Sequence, residues 1–344
     1  MRRWLGPAWR APNACRYDPQ GGGHVESYFW RANDPRRPRA LWLKATLLAP
    51  RSGPPVAEAW GVWFDGETGR TLAHRETRPL SQGMFPAADS GRIDVAGCTF
   101  SLSPTGSAAG ELKGSRGSLS WRLGWTREPT AVGEPLSLYP NRLLLEGPFP
   151  RSKLLTPLPA LRFSGSVEAF GETVDVASWV GMQGHNWGRE HPWEYAWGQC
   201  LFPGASGELE AMVEGFTGRL RLAGRTTPAM SALVIRRGAR TYRFDRIFDL
   251  WRQRAELSER RWLLSLRGAD GAAELTMDAG SQPIACLGYR NPDGRLSYCL
   301  NTKLARVRLW MKPAGEGPFE YESAHGGALE FLRNTPDPRL ADVV

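Results

Sequence analysis

The sequence lacks any apolar run near the ~20 residues that a membrane-spanning helix requires. Its opening, MRRWLGPAWRAPNAC, carries arginine but no apolar core of signal-peptide length. A cytoplasmic protein without a transmembrane segment is therefore expected, with peripheral membrane contact left open. Cysteine is scarce: five residues, at positions 15, 98, 200, 286 and 299, form an odd set without a CxxC pair. That argues against a disulfide framework or a cysteine-rich zinc site and for reduced thiols. There is no GxSxG elbow, no Walker loop and no usable GxGxxG after a strand, which excludes the commonest hydrolase and nucleotide-binding signatures. Despite 39 Gly and 27 Pro no Gly-X-Y period exists, so a collagen-like rod is excluded. Lysine is also sparse, and a net charge of +9 is built mostly from arginine. Six of those excess charges fall within residues 1–50, where nine basic residues face three acidic ones. The remainder is nearly balanced, so no nucleic-acid partner is expected.

What the chain does have is ordinary globular composition, with 41% apolar and 23% charged residues, and an unusual 15 Trp. Period-2 patterns dominate. Arg39–Ala49 and Val56–Asp65 read as strands, followed by the turn Gly66-Glu67-Thr68-Gly69 and a third strand at Arg70–Leu80. Gly117–Arg127 alternates similarly. Further strands are expected at Phe163–Phe170, Thr173–Met182, Trp193–Phe202, Gly207–Leu222, Ala229–Arg236, Thr241–Phe244, Arg261–Arg267, Ala272–Asp278, Ile284–Tyr289 and Leu296–Met311. Helical periodicity is confined to Phe244–Glu259. Many short strands with tight turns predict an all-β fold of sandwiches or barrels. The 344 residues suit two domains. Gly147–Pro159, with four prolines, is expected to break every ladder and to link a domain of residues 1–160 to one of residues 161–344.

The most informative segment is Asp175–Phe202, DVASWVGMQGHNWGREHPWEYAWGQCLF. In an extended strand Asp175, Trp179, Gln183, His185 and Trp187 share a face. Beyond Pro192, so do Trp193, Tyr195, Trp197 and Gln199, opposite the smaller Ala196, Gly198 and Cys200. A polar-aromatic face beside a small one suits a strand lining a cavity. The same aromatics also suit plain core packing, and a buried His is more often a satisfied hydrogen bonder than a catalyst. The glycines at 181, 184 and 188 are places where a bulge can break the phase. A metal reading of His185, Glu190, His191 and Glu194 is disfavoured: HExxH is absent, and a strand–turn does not present His185 and His191 together.

Gln183-Gly184-His185-Asn186-Trp187-Gly188 with Tyr195-Ala196-Trp197-Gly198 resembles the lipocalin-like (calycin-type) superfamily of carotenoid 1,2-hydratase, also called hydroxyneurosporene synthase, with tocopherol cyclase and Diels–Alderase relatives. His24–Pro35 (HVESYFWRANDP) resembles the opening strand of bacterial members. The resemblance implies two consecutive antiparallel β-barrels with a hydrophobic pocket at or between them, and no cofactor. It implies protonation of an isoprenoid double bond by a carboxylic acid of raised pKa, or pericyclic chemistry governed by shape and hydrogen-bond donors. Its carboxylate is not assignable from the motif. Glu190 and Glu194 lie near it, and Glu26, Glu58 and Glu76 sit on N-terminal strands with two placements, facing an inter-domain pocket or, more simply, facing solvent.

The expected function is a cofactor-independent hydratase or cyclase acting on a hydrophobic, isoprenoid- or polyketide-like molecule. His185, Glu194 and Tyr195 are the candidate catalytic residues. Gln183, Asn186, Trp187, Trp193, Trp197 and Trp179 are the candidate ligand-binding residues, and no metal is expected. The alternative is a non-catalytic carrier of the lipocalin sort. A buried carboxyl beside the aromatic face favours the enzyme; an entirely apolar pocket favours the carrier.

Overall fold

The computed structural model describes residues 11–86, 91–219, 221–222, 225–247, 249 and 253–335. Ten strands in chain order build the first sheet: β1 His24–Asn33, β2 Arg39–Ala49, β3 Val56–Asp65, β4 Arg70–Pro79, β5 Arg92–Val95, β6 Cys98–Ser101, β7 Thr105–Gly114, β8 Gly117–Arg127, β9 Ser152–Ala169 and β10 Glu172–Gly188. They pair antiparallel in the order β4-β3-β2-β1-β10-β9-β8-β7-β6-β5. A single-turn helix, α1 Arg142–Glu146, precedes β9 and is capped by the Asn141 side chain, which accepts from Leu144 N at 3.0 Å.

The second half contributes β11 Glu194–Pro203, β12 Leu209–Arg219, the two-residue β13 Arg221–Leu222 and β14 Arg225–Thr226, β15 Met230–Arg237, β16 Arg240–Phe244, β17 Arg254–Leu257, β18 Arg261–Gly268, β19 Gly271–Asp278, β20 Ala285–Arg290, β21 Leu296–Pro313 and β22 Phe319–Arg333. Its main sheet runs β16-β15-β12-β11-β22-β21-β19-β18-β17, with β20 paired to β21; β13 and β14 pair only with each other. Both large sheets are antiparallel, so the protein is all-β with two antiparallel sheets in sequence.

The alternation of side chains explains three cores. On β1 to β3, Tyr28, Trp30, Leu41, Leu43 and Trp63 point into the first sheet's interior, where Trp121, Trp125 and Trp179 complete the packing. The opposite pleat carries Phe29, Trp42, Trp60, Val62 and Phe64 into a second core shared with Trp197, Leu201, Met212 and Leu287 of the second sheet. A third core, around Val213, Ile235, Trp262 and Met277, lies within the second sheet. Strands buried on both faces read as near-continuous apolar runs, which is how 39–49 and 56–65 appear in sequence.

Three expectations are corrected. The proline-rich stretch is no linker: residues 152–159 already belong to β9, and the chain passes between sheets at 189–193. Pro157 and Pro159 are tolerated because β9 carries an extra residue against β10 at two places, between the pairs Gln183↔Leu158 and His185↔Leu155 and between Gly181↔Leu161 and Gln183↔Leu158. Each proline falls in a bulge, where no ladder hydrogen bond is demanded of it. The helix expected over 244–259 is not found among the described residues: Phe244 ends β16 and Arg254–Leu257 is strand, while 248 and 250–252 lie outside the described residues. Finally, Asp175 does not share the face of Trp179. Ser178 adopts φ 57° in a register shift between Ala177 and Trp179, so Val176 and Trp179 both turn inward and Asp175 is exposed.

Gly181 of β10 marks the closest approach of this strand to β1, since a Cβ there would lie 1.8 Å from the Arg31 carbonyl oxygen. Gly124 of β8 has no neighbour nearer than 3.7 Å to a built Cβ. Gly181→Ala should therefore destabilise the fold by at least ~2 kcal/mol, whereas Gly124→Ala should be neutral or stabilising by up to ~1 kcal/mol. Urea midpoints of the two variants check this; equal effects would contradict the assigned register.

Candidate functional site

The two faces of β10 divide its motif. Odd positions meet the segment at residues 12–16. Gln183 and Asn13 exchange amide hydrogen bonds at 3.1 and 3.2 Å. His185 is fully buried, with Nε2 2.8 Å from Glu26 Oε1 and Nδ1 2.8 Å from the Pro12 carbonyl oxygen. The Arg16 guanidinium lies 4.9 Å over the Trp187 ring. Both ring nitrogens of His185 thus face acceptors, and the Tyr28 ring stacks on it at 4.2 Å, so no edge of the imidazole is free for a substrate.

Glu26 is the hub of this cluster. It accepts from Arg16 N at 2.9 Å, the Tyr28 hydroxyl at 2.9 Å and, at longer range, the Cys15 thiol at 3.4 Å, with His24 Nε2 2.9 Å away. Burial raises its carboxyl, but hydrogen bonds from His185 and His24 outweigh that and hold it well below the ordinary carboxylate range. Burial pushes the Cys15 thiol up to about 12, so it is no thiolate nucleophile. The arrangement fastens residues 12–16 to the first sheet. The solvent-facing placement expected for Glu26 is corrected: β1 is covered on both faces.

The even positions face the second sheet. Gly184 leaves room for the Phe29 ring, whose atoms would come within 2.2 Å of an added Cβ. Asn186 lines a cavity between the sheets together with Phe29, Trp42, Lys44, Tyr195, Trp197 and, opposite, Tyr289 and Glu330. Its volume is about 60 Å³, room for a few waters. Its charged lining is Lys44, Lys153 and Glu330. Glu330 accepts from Lys303 Nζ at 2.6 Å, Asn301 at 3.1 Å and the Tyr195 hydroxyl at 3.4 Å. Burial raises the Tyr195 phenol well above its usual range, leaving it a neutral donor. Burial, then Lys44 and Arg295, bring His191 down to about 3, so that ring is neutral against Tyr289.

One further carboxyl adjoins the cavity. Glu214 lies on β12 between Met212 and Phe216, on the pleat that faces the first sheet. It is 1% exposed and accepts from the Thr156 hydroxyl at 2.8 and 2.9 Å and from Trp197 Nε1 at 3.3 Å. Among the described residues no cation lies within 4 Å of it. Burial pushes it up to about 7, against the lowering effects of Thr156 and Trp197. Thr156 reaches it from the β9 bulge beside Pro157.

Of the sequence-predicted site residues, Tyr195, Trp197 and Asn186 come together at this cavity. His185 and Gln183 hold the segment at 12–16, Trp187 packs with Leu145 and Leu155, and Trp179 is core, stacked on Trp63 at 6.0 Å. Trp193 is half-buried beneath the Arg295 guanidinium at 5.1 Å. Glu194 is exposed at a wider surface depression of about 390 Å³. Glu190 pairs with Arg151 at 3.7 Å, and Glu76 pairs with Arg78 at the surface. Glu58 is buried, accepts from Trp60 Nε1 at 3.2 Å and is raised by burial. Lys44, Glu214, Lys303 and Glu330 were not anticipated. The available signal is a lone charge within an apolar strand run, as in LWLKATLL or AMVEGF. Among the described residues no group of three His, Cys, Asp or Glu side chains is arranged to hold a metal ion.

No protein-family profile matches the chain. It is 28% identical over 305 residues to the uncharacterised Mycobacterium tuberculosis protein Rv0493c, covering 88% of this chain and 83% of that protein. In structure it is similar to a Nitrosomonas europaea protein assigned to AttH, with TM-score 0.59 and 13% identity over 96% of this chain and 98% of that one. It is also similar to kievitone hydratase from Nectria haematococca (TM-score 0.53, 11% identity, 91% and 90% covered) and to CghA solved with Sch210972 (TM-score 0.57, 10% identity, 91% and 88% covered). At these identities the likeness is one of fold.

Because the folded-state Glu26 carboxyl lies below its ordinary value of 4.5, its contribution to stability is present above pH 4.5 and is lost as pH falls below it. Glu26→Gln should cost on the order of 2 kcal/mol at pH 7 and progressively less toward pH 3. Urea unfolding of both proteins across that range measures the gap; a gap independent of pH would contradict an ionised hub.

Proposed function

We propose that this protein is a hydratase or cyclase, working without a cofactor, that acts on an alkene-bearing small molecule of isoprenoid or polyketide type between its two sheets. The observation that carries the reading is Glu214: a carboxyl with no ion-pair partner among the described residues, buried directly behind Trp197 of the aromatic cavity wall and protonated near neutral pH. Such a group delivers a proton to a carbon–carbon double bond. The cation that forms lies against the Trp42 and Trp197 faces, which attract positive charge without bonding to it. Water, or an oxygen of the same substrate, then adds to the cation, and its proton returns to the Glu214 carboxylate. The Tyr195 hydroxyl, which donates to Glu330, accepts from a substrate hydroxyl. A cavity of about 60 Å³ is smaller than such a substrate, so binding displaces wall side chains. The movement of Phe216 or Trp197 that enlarges the cavity also uncovers Glu214.

The fold shared with kievitone hydratase and CghA supports this class of chemistry. Membership of the carotenoid hydratase branch and a cytoplasmic setting, consistent with five free thiols, belong to the same proposal. A carrier calls for an apolar cavity, and Lys44, Lys153 and Glu330 in the lining count against it.

The test is conversion of a panel of prenylated phenols and polyenes in heavy water, where protonation at carbon leaves a non-exchanging deuteron visible by mass spectrometry. Glu214→Gln, which keeps the bonds to Thr156 and Trp197, should lower turnover ~10²–10⁴-fold without loss of folding. The acid form of Glu214 persists below about pH 7, so the wild-type rate should fall as pH rises through that value. Unchanged turnover and an unchanged pH profile in the variant would overturn the assignment.

A further inference from the structure

Lys44 stands in the middle of β2, in the run Leu41-Trp42-Leu43-Lys44-Ala45, on the pleat that faces the second sheet. It is 3% exposed, yet its ammonium makes no hydrogen bond or ion pair among the described residues. Its contacts are aromatic faces: Nζ lies 3.7 Å from the Tyr289 ring centroid, 5.6 Å from that of Trp60 and 5.9 Å from that of Trp42. It lines the cavity between the sheets. Trp42, in the same wall, carries a buried indole N–H with no acceptor among the described residues.

The neighbouring charges do not neutralise it. Glu330 is held by Lys303 at 2.6 Å and by Asn301 and Tyr195. Glu58 is held by Trp60 Nε1, and Arg75 is the larger of the cationic influences on it. Lys153, the other cation of the lining, donates to the Leu144 carbonyl. A buried cation loses its hydration, which aromatic faces replace only in part. Such a group at a cavity wall is satisfied by an anion that enters with the ligand.

We propose that Lys44 is the anchor for an ionised oxygen of the ligand, a carboxylate, enolate or phenolate, which the aromatic walls flank with its apolar remainder. The inference rests on the cavity being the binding site, but not on Glu214 being the acid. In the reaction proposed above, the anchor fixes which double bond is presented for protonation, and an acidic oxygen becomes a required feature of the substrate.

The probes are three molecules of one skeleton: phenylbutanoate, phenylbutanol and phenylbutylamine, titrated calorimetrically against the full chain. Wild-type protein should bind the carboxylate at least ~10-fold more tightly than the alcohol, and the amine more weakly than either. In Lys44→Met, which removes the charge and keeps the chain's bulk, the carboxylate and alcohol should bind within ~3-fold of each other. Lys44→Arg, should the first variant fail to fold, should retain a carboxylate preference. Equal binding of carboxylate and alcohol to wild type would overturn the anchor and leave the cavity as a binding site. A preference that survives in Lys44→Met would assign it to another group and overturn the anchor too. Binding of none of the three would overturn both the anchor and the cavity as a binding site. Loss of turnover in Glu214→Gln with the carboxylate preference intact separates the acid from the anchor.

Discussion

The arrangement of the two sheets depends on one buried cation. Arg31, on the interfacial pleat of β1, is 1% exposed and spends its guanidinium on Gln199, Asn33 and the Gly326 carbonyl. Burial lowers it only to about 10, so it stays charged. Two of these partners in turn reach the opposite sheet. Gln199 Nε2 donates to the Pro159 carbonyl at 2.9 Å, and Asn33 donates to the Lys303 carbonyl at 2.6 Å. A charge in such a place is tolerated only with its donors satisfied, which fixes β1, β11 and β22 in one register. The bulges of β9 contribute to the same seam, since they turn Thr156 toward Glu214 and the Pro159 carbonyl toward Gln199. The cavity is the space this polar seam leaves between aromatic walls.

Within that seam each ionisable group has a distinct environment. Outside it, on the opposite pleat of β1, Glu26 is surrounded by donors and stays ionised. Glu330 is matched by Lys303. Glu214 is hydrogen-bonded only by a hydroxyl and an indole N–H, and burial pushes it up to about 7 against these and the more distant Arg236 and Arg31. Lys44 has only π faces, and burial, eased by Glu330, brings it down to about 8. Two carboxyls, one anchored and one protonatable, beside a cation with no anion of its own form an asymmetric site. A barrel that merely stored an apolar ligand has no need of such asymmetry, and the cost of burying these groups is spent where chemistry can use it.

Much of the fold was legible from local pattern. The bounds of β2, β3 and β8 follow from alternation and flanking turns, because each strand is bounded by Gly, Pro or Asp residues whose preferences are local. Strands β7 and β22 were not legible: TGSAAGELKG is small and polar, and the first half of FEYESAHGGALEFLR is surface-exposed, so neither shows an apolar face along its whole length. Of the site, the alternation after Pro192 correctly placed Tyr195, Trp197 and Gln199 together. The alternation before it failed at Ser178, where a non-glycine residue at positive φ shifts the phase. The partners of His185 and Trp197 were out of reach, since Glu26 lies 159 residues away from His185 and Thr156 meets Glu214 only across the seam. The QGHNWG segment served two purposes at once, closing residues 12–16 over one face and admitting Phe29 and Asn186 to the other. A single strand cannot reveal from its own sequence which face is the functional one.

The central claim is that small molecules bind between the sheets and not within either one. A crystal of the protein soaked with iodophenylbutanoate tests it most directly, because the iodine locates itself by anomalous scattering. The account predicts an iodine peak bounded by Trp42, Trp197 and Phe216, with the carboxylate at Lys44. A peak inside the first sheet's core near His185 and Tyr28, or inside the second sheet's core near Trp262, would contradict it.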